Sequence, residues 1–320
     1  MTKVFIAAKI PQHAHQLLMD AGIEVQEHTG NLLITQEQLI AGVKDCDVLI
    51  TALSTQVPEA VIDRAPNLKL IANYGAGFNN IDTNYAKTKQ ILVTNTPFVS
   101  TDSTAELAVA LILSISRRIV EGDRLMQTKG FNGWAPLFFL GHQVSHKTLG
   151  IIGMGQIGQG VAKRLKGFDM EILYTQRQRL DPEIENALNA QYVPFDELIT
   201  RSDYVTLHLP FTPETKHLIN GAVFQAMKPS AYFINAARGP IVDEAALAQA
   251  ISDQAIAGAA LDVYEDEPNV YPALKNLDNV ILEPHIGNAT VEARDAMAEI
   301  VANNTIALAQ GALPRYIVNP

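Results

Sequence analysis

Three polar residues stand in the second half of the chain, each just beyond a short apolar run. They are Arg238 in Asn235-Ala236-Ala237-Arg238-Gly239, Glu267 in Glu267-Pro268, and His285 in Pro284-His285-Ile286-Gly287. A guanidinium grips a carboxylate through two parallel hydrogen bonds and can polarise a nearby carbonyl. An imidazole is the side chain best placed to give or take a proton near neutrality. A carboxylate beside it favours the imidazolium form. An anion anchor, a proton donor and a group that tunes the donor are what hydride transfer to a 2-keto acid requires. Ahead of them lies a glycine-rich turn, Gly153-Met154-Gly155-Gln156-Ile157-Gly158, of the kind that suits a dinucleotide pyrophosphate.

The chain has eight histidines, so His285 has to be argued for. It follows Val280-Ile281-Leu282, which places it at the carboxyl end of a strand, where ligands bind in open α/β sheets. The rival is His208, which lies inside the run Thr206-Leu207-His208-Leu209-Pro210 and reads as a packed, hydrogen-bonded residue. His13, His15, His28, His142, His146 and His217 have no comparable placement and are expected at the surface. Placement favours His285, but spacing alone does not decide the matter.

The glycine pattern is weak by itself in a chain with 20 glycines, and its context strengthens it. Thr148-Leu149-Gly150-Ile151-Ile152 reads as a buried strand directly before it, and Gln159 to Lys166 as a helix after it. Gly153, Gly155 and Gly158 then have separate tasks: a tight turn, close approach of backbone to phosphate, and close helix–strand packing. Gln156 and Ile157 would open the helix, whose N–H groups face the phosphates. An NAD site usually offers a carboxylate about 20 residues further on. Here Gln176 stands near that place, and Arg177 and Arg179 follow. Both arginines suit a 2′-phosphate, so NADP(H) is expected in preference to NAD(H), which stays possible.

Short apolar runs alternate with helical patterns along the whole chain. Strands are expected over Val4–Ala8, Val48–Thr51, Leu70–Asn73, Ile91–Thr94, Thr148–Ile152, Glu171–Tyr174, Tyr204–Leu209, Tyr232–Asn235, Ala257–Asp262 and Val280–Leu282. Their spacing reads as repeated βα units, hence an α/β protein with parallel sheets buried on both faces. Ser103-Thr104-Ala105-Glu106 fits a capping box opening a helix to about Ile119. A last helix is expected from Thr290 to about Gln310, stopped by Gly311. If that helix returns to the first domain, residues 1–99 and 288–320 form a discontinuous substrate domain. Residues 100–287 form a dinucleotide-binding domain inserted into it.

Composition narrows the function. The chain has 320 residues, 48% hydrophobic and 18% charged, which is ample for two domains. The net charge of −10 and the lack of a basic block argue against nucleic acid and anionic membranes as partners. Cys46 is the only cysteine, so neither an internal disulfide nor a cysteine metal cluster is expected, and a buried structural thiol is. The first residues read as a strand and not as a signal peptide. No apolar stretch is long enough to span a membrane, and a cytoplasmic location is expected.

Taken in order, these motifs carry a resemblance. Gly75-Ala76-Gly77-Phe78-Asn79-Asn80-Ile81-Asp82, the glycine turn, Leu207-His208-Leu209-Pro210 with Thr212 and Thr215, Asn235 to Gly239, Ala260-Leu261-Asp262-Val263 with Glu267-Pro268, and Pro284 to Gly287 span nearly the whole chain. The chain resembles the D-isomer-specific 2-hydroxyacid dehydrogenases. The resemblance implies two Rossmann-like or flavodoxin-like domains, with Arg238 on the substrate, His285 as acid/base and Glu267 as its tuner. It further implies that Leu209, Pro210, Thr215, Ala236, Ala237, Asp262 and Gly287 line the cofactor. Backbone N–H groups near Ala76 and Gly77 would hold the substrate carboxylate, in a cleft that closes against water.

Within that family the chain looks most similar to the glyoxylate/hydroxypyruvate reductases. The short interval from Glu267 to His285, Trp134-Ala135-Pro136-Leu137 and the arginines after Tyr174 carry this. The likeness implies a homodimer whose arm around Trp134 reaches the partner's active site. Formate dehydrogenases carry Gln at the place of Glu267, and long phosphoglycerate dehydrogenases carry a further C-terminal domain not expected before Pro320. Two other readings stay open. One is an NAD-dependent dehydrogenase of another D-hydroxy acid such as 3-phosphoglycerate. The other is a nucleotide-sensing interaction protein like the corepressors built on this fold.

Overall fold

The computed structural model describes residues 1–30 and 33–320. The chain divides into two compact units, Met1–Ser100 with Asn288–Pro320, and Thr101–Gly287.

The first unit carries β1 (Lys3–Ile6), β2 (Glu24–Glu27), β3 (Val48–Ala52), β4 (Leu70–Tyr74) and β5 (Leu92–Thr94) in one parallel sheet of order β2-β1-β3-β4-β5. This is the flavodoxin-like order. Apolar side chains leave both faces of its strands, so the unit has two cores. Phe5, Leu49, Ile71 and Val93 lie in one; Val4, Ile6, Val48, Ile50 and Leu70 lie in the other. The helix Val291–Ala309 packs Met297, Ala298, Val301 and Ala302 into the second core, against Leu18 of the helix Gln12–Asp20. The C-terminal segment then lies along β5: Val318 N–H donates to Val93 O, and the Asn319 side chain accepts from Val93 N–H.

The second unit holds β6 (Thr148–Ile152), β7 (Glu171–Thr175), β8 (Ala190–Tyr192), β9 (Tyr204–Leu207), β10 (Tyr232–Asn235), β11 (Gly258–Leu261) and β12 (Val280–Leu282). All pair in parallel, in the order β12-β11-β10-β9-β6-β7-β8. This is the doubly wound Rossmann order with one more strand, and its switch point lies between β6 and β9. Strands β9, β10 and β11 are buried at every residue, as strands covered on both faces must be. The three strands carrying the candidate trio, β10, β11 and β12, are neighbours.

Some boundaries differ from the reading of the sequence. The expected capping box at Ser103 lies inside a helix that starts at Thr101 and ends at Ser116. Thr104 is buried there, and its hydroxyl donates to Gly287 O. Arg118 takes a left-handed φ of 55°, and a separate helix, Ile119–Thr128, follows. Strands β2 and β8 were not foreseen: Glu24-Val25-Gln26-Glu27 is polar, and Ala190–Tyr192 spans three residues at a sheet edge. Among the described residues no helix is long and apolar enough to cross a membrane.

Gly311 ends the last helix with a φ of 74°, and a Cβ there would meet nothing within 4 Å. Replacing it with alanine therefore costs only the left-handed backbone conformation. Gly311→Ala is expected to lower stability by about 1 kcal/mol, read as a lower urea midpoint. An unchanged midpoint would contradict this role.

Candidate active site

The carboxyl ends of β10, β11 and β12 bring Arg238, Glu267 and His285 into one place. His285 Nδ1 donates to Glu267 Oε2 at 2.8 Å, and both side chains are partly exposed. The ring's Nε2 has no partner among the described residues. Burial pushes the Glu267 carboxyl up, but the His285 hydrogen bond and charge, the Tyr264 N–H at 3.1 Å and the Arg238 charge outweigh it. The group stays below its ordinary value. The Arg238 guanidinium is pulled down by burial and supported by Glu267. The arrangement is an imidazole held by a carboxylate, next to a desolvated cation that can receive an anion.

Local structure fixes each member. Asn235, buried at the end of β10, accepts from Ala237 N–H at 3.0 Å and donates to Arg238 O at 3.1 Å, which shapes the turn that presents Arg238. Gly239 is required there, because a Cβ would lie 1.9 Å from the Tyr264 carbonyl. Tyr264 O–H donates to Glu283 O at 2.7 Å, tying the loop that holds Glu267 to the end of β12. His285 itself has a φ of 56°. The two residues after it donate their N–H groups to Asp262, Ile286 to Oδ1 at 2.7 Å and Gly287 to Oδ2 at 2.8 Å. Asp262 is 1% exposed; burial raises its carboxyl, and the two N–H groups oppose that rise.

The glycine turn fits a dinucleotide. Gly153 has a φ of 96°, and a Cβ on it would lie 2.6 Å from the His208 carbonyl oxygen. On Gly158 a Cβ would meet Gly153 O at 2.3 Å, so the helix Gln156–Leu165 can lie this close to the turn only with glycine there. A Cβ on Gly155 would meet nothing within 4 Å. Gly155 caps the helix without a side-chain bond, and with Gln156 it is exposed, while Ile157 is half-buried. Open space at an uncapped helix N-terminus suits a pyrophosphate. Across the switch point, Leu209 and Pro210 continue from β9, and Thr215 O–H donates to Pro210 O at 3.1 Å, closing that loop. Ala236 and Ala237 are buried after β10.

At the end of β7, Gln176 Oε1 accepts from Met154 N–H at 3.0 Å, so this side chain braces the glycine turn. Arg177 is exposed. Arg179 is held by Glu185, a contact that the sequence reading did not anticipate.

In the first unit, Gly75-Ala76-Gly77 follows β4. Its carbonyls are pinned by asparagines: Asn73 donates to Gly75 O and Gly77 O, Asn95 to Ala76 O, and Asn80 braces Asn73. The N–H groups of Ala76 and Gly77 have no acceptor among the described residues.

The other histidines separate clearly. His208 lies just past β9, with Nε2 3.0 Å from Thr206 Oγ1 and Nδ1 buried without a partner. Burial pushes its pKa down to about 3, which disfavours the imidazolium form. His15 and His217 are not simple surface residues: they pair with Glu27 and Glu265, and the His15 side chain is only 17% exposed. Both sit beside carboxylates that the folded chain brings near, which spacing does not reveal. Cys46 is buried, and burial pushes its thiol up to about 12.

Replacing Glu267 with glutamine removes the carboxylate that holds His285 Nδ1. kcat/KM for carbonyl reduction is expected to fall on the order of 100-fold. An unchanged kcat/KM would remove Glu267 from the site.

Residues 109–287 match the family model of the D-isomer specific 2-hydroxyacid dehydrogenase NAD binding domain. A relative in Staphylococcus saprophyticus, named for 2-hydroxyacid dehydrogenase, is 54% identical over 320 residues, covering all of both chains. The crystal structure of a glyoxylate reductase from Paecilomyes thermophila matches with a TM-score of 0.86 at 30% identity, over 99% of this chain and 98% of that one. An NADPH-dependent glyoxylate/hydroxypyruvate reductase from Sinorhizobium meliloti, crystallised with NADP and malonate, matches with a TM-score of 0.82 at 30% identity, over 99% and 96%. The chain belongs to the D-isomer specific 2-hydroxyacid dehydrogenases, a family of oxidoreductases.

Proposed function

We propose that the protein reduces a small 2-keto acid of glyoxylate or hydroxypyruvate size, with NADP(H) preferred, giving the D-hydroxy acid where the product is chiral. The observation that carries this is the His285–Glu267 hydrogen bond beside Arg238, at adjacent strand ends of the sheet that holds the glycine turn. Arg238 takes the substrate carboxylate and polarises the keto oxygen. His285 gives the Nε2 proton to that oxygen as hydride reaches C2, and Glu267 stabilises the imidazolium before transfer. A bound nicotinamide supplies the hydride. Gly153, Gly155 and Gly158 with the helix behind them would hold its pyrophosphate. The N–H groups of Ala76 and Gly77 suit a carboxylate in the same way as Arg238.

Substrate size is taken from the kinship with the glyoxylate and hydroxypyruvate reductases. The cofactor preference is supported by the end of β7, where Gln176 stands in place of a carboxylate and Arg177 is exposed. We further propose a homodimer. The helix Ile119–Thr128 buries none of its residues and exposes Met126, and Phe131, Trp134, Leu137 and Leu140 after it are exposed as well. Exposed apolar patches mark interfaces. Light scattering should give the mass of two chains; a monomer would remove this part of the reading.

The deciding assay is oxidation of NADPH and NADH with glyoxylate, hydroxypyruvate, pyruvate and a bulky branched keto acid. Fast turnover of NADPH with the first two is expected. Cofactor binding without turnover of any acid would overturn the assignment in favour of a nucleotide sensor. His285→Ala and Arg238→Ala should each lower kcat/KM on the order of 1,000-fold while cofactor affinity is kept. Near-normal rates in both would sink the mechanism.

A further inference from the structure

Arg177 and Arg179 stand two residues apart, yet the fold uses them differently. Arg179 Nε and Nη2 donate to Glu185 Oε1 and Oε2, both at 2.8 Å. Glu185 lies in the helix Pro182–Leu188 and is only 7% exposed. Its Oε1 also accepts from Tyr174 O–H, and the same Tyr174 oxygen accepts from Leu180 N–H at 2.9 Å. Tyr174 is fully buried in β7 and packs edge-on against Tyr192 at 5.5 Å. The cluster therefore locks the loop after β7 to the helix that follows, and Glu185 matches the charge of Arg179.

Arg177 has no ion-pair partner among the described residues. Its charge reaches the Glu214 carboxylate, on the segment after β9, only weakly; there the Thr212 hydrogen bond does more than Arg177 to hold the group down. Near neutrality a 2′-phosphate brings close to two negative charges. An arginine already neutralised by a carboxylate offers it little, because Glu185 repels what Arg179 attracts.

We propose that Glu185 sets the cofactor selectivity of this chain. By cancelling the charge of Arg179 it leaves Arg177 as the uncompensated cation for a 2′-phosphate, and so keeps NADH usable beside NADPH. This rests on the reading that the adenosine ribose lies at the end of β7. Glu185 is a positioning residue here, acting through Arg179. The short separation of arginine and carboxylate across a turn also means that single substitutions can retune the choice.

The test is the ratio of kcat/KM for NADPH to that for NADH, measured with one keto acid on the wild type and four variants. Glu185→Gln keeps the size and the hydrogen-bonding shape of the side chain and frees the Arg179 charge. It should raise the ratio about fivefold, through the KM for NADPH and not through kcat. Arg179→Gln strands the Glu185 charge and should lower the ratio. The double variant is neutral again and should return to the wild-type ratio. If Arg179 itself held the phosphate, the double variant would stay low, and the proposal would fall. Equal changes in both KM values would reduce Glu185 to a structural part and also overturn it. Arg177→Ala should lower the ratio about tenfold. No change in that variant would remove the ribose from the end of β7 and with it the cofactor reading. A drop there with no response to Glu185→Gln would overturn the Glu185 proposal alone.

Discussion

The carboxylate of Asp262 accepting the N–H groups of Ile286 and Gly287 is the interaction on which the site depends. It joins the loop after β11 to the loop after β12 from a position that water scarcely reaches. His285 sits immediately before those two N–H groups, in a left-handed backbone conformation that costs a branched or ring-bearing residue on the order of 1 kcal/mol. Two charge-assisted hydrogen bonds, with Thr104 on the Gly287 carbonyl, over-determine that conformation. The imidazole is thereby aimed at Glu267. Each Asp262 oxygen serves one N–H, so the ionised form is the one the geometry uses, although burial raises its pKa. The cost of burying that charge is offset by the backbone donors and by the His285 charge nearby.

The rest of the second unit follows from close packing around parallel strand ends. Three neighbouring strands deliver Arg238, Glu267 and His285, and the loops beyond them touch: a Cβ on Gly239 would overlap the Tyr264 backbone. On the other side of the switch point, Gly153 lies against the His208 carbonyl, so the β6 and β9 loops meet in the same manner. Glycine at these positions serves contact between backbones. At Gly155 a Cβ would meet nothing within 4 Å.

Much of this was legible in the residues. Strands covered on both faces are continuous apolar runs, which is why β9, β10 and β11 could be read directly, and a polar residue just past such a run is placed at a strand end by the geometry of the sheet. The edge strand β2 could not be read in this way, since Glu24 and Gln26 alternate with residues of mixed character and its pairing with β1 is a tertiary fact. The choice between His285 and His208 also needed the fold, because it rests on burial that spacing does not encode. Long-range polar partners were equally out of reach. Nothing in Tyr264 announces its bond to Glu283 O, and nothing in Asn73 its hold on the loop after β4. The Arg179–Glu185 pair was closer to view, since a carboxylate six residues on, in a helix starting at Pro182, is a natural partner across a turn.

The central claim is that Asp262 organises the site by holding the backbone after His285. The direct measurement is kcat for Asp262→Asn at saturating cofactor and keto acid, with the thermal midpoint recorded on the same preparation. An amide offers one acceptor where the carboxylate offers two, so one N–H loses its partner while the fold is kept. The account predicts a loss in kcat on the order of 100-fold with a midpoint close to wild type. Wild-type turnover in a folded Asp262→Asn protein would contradict it.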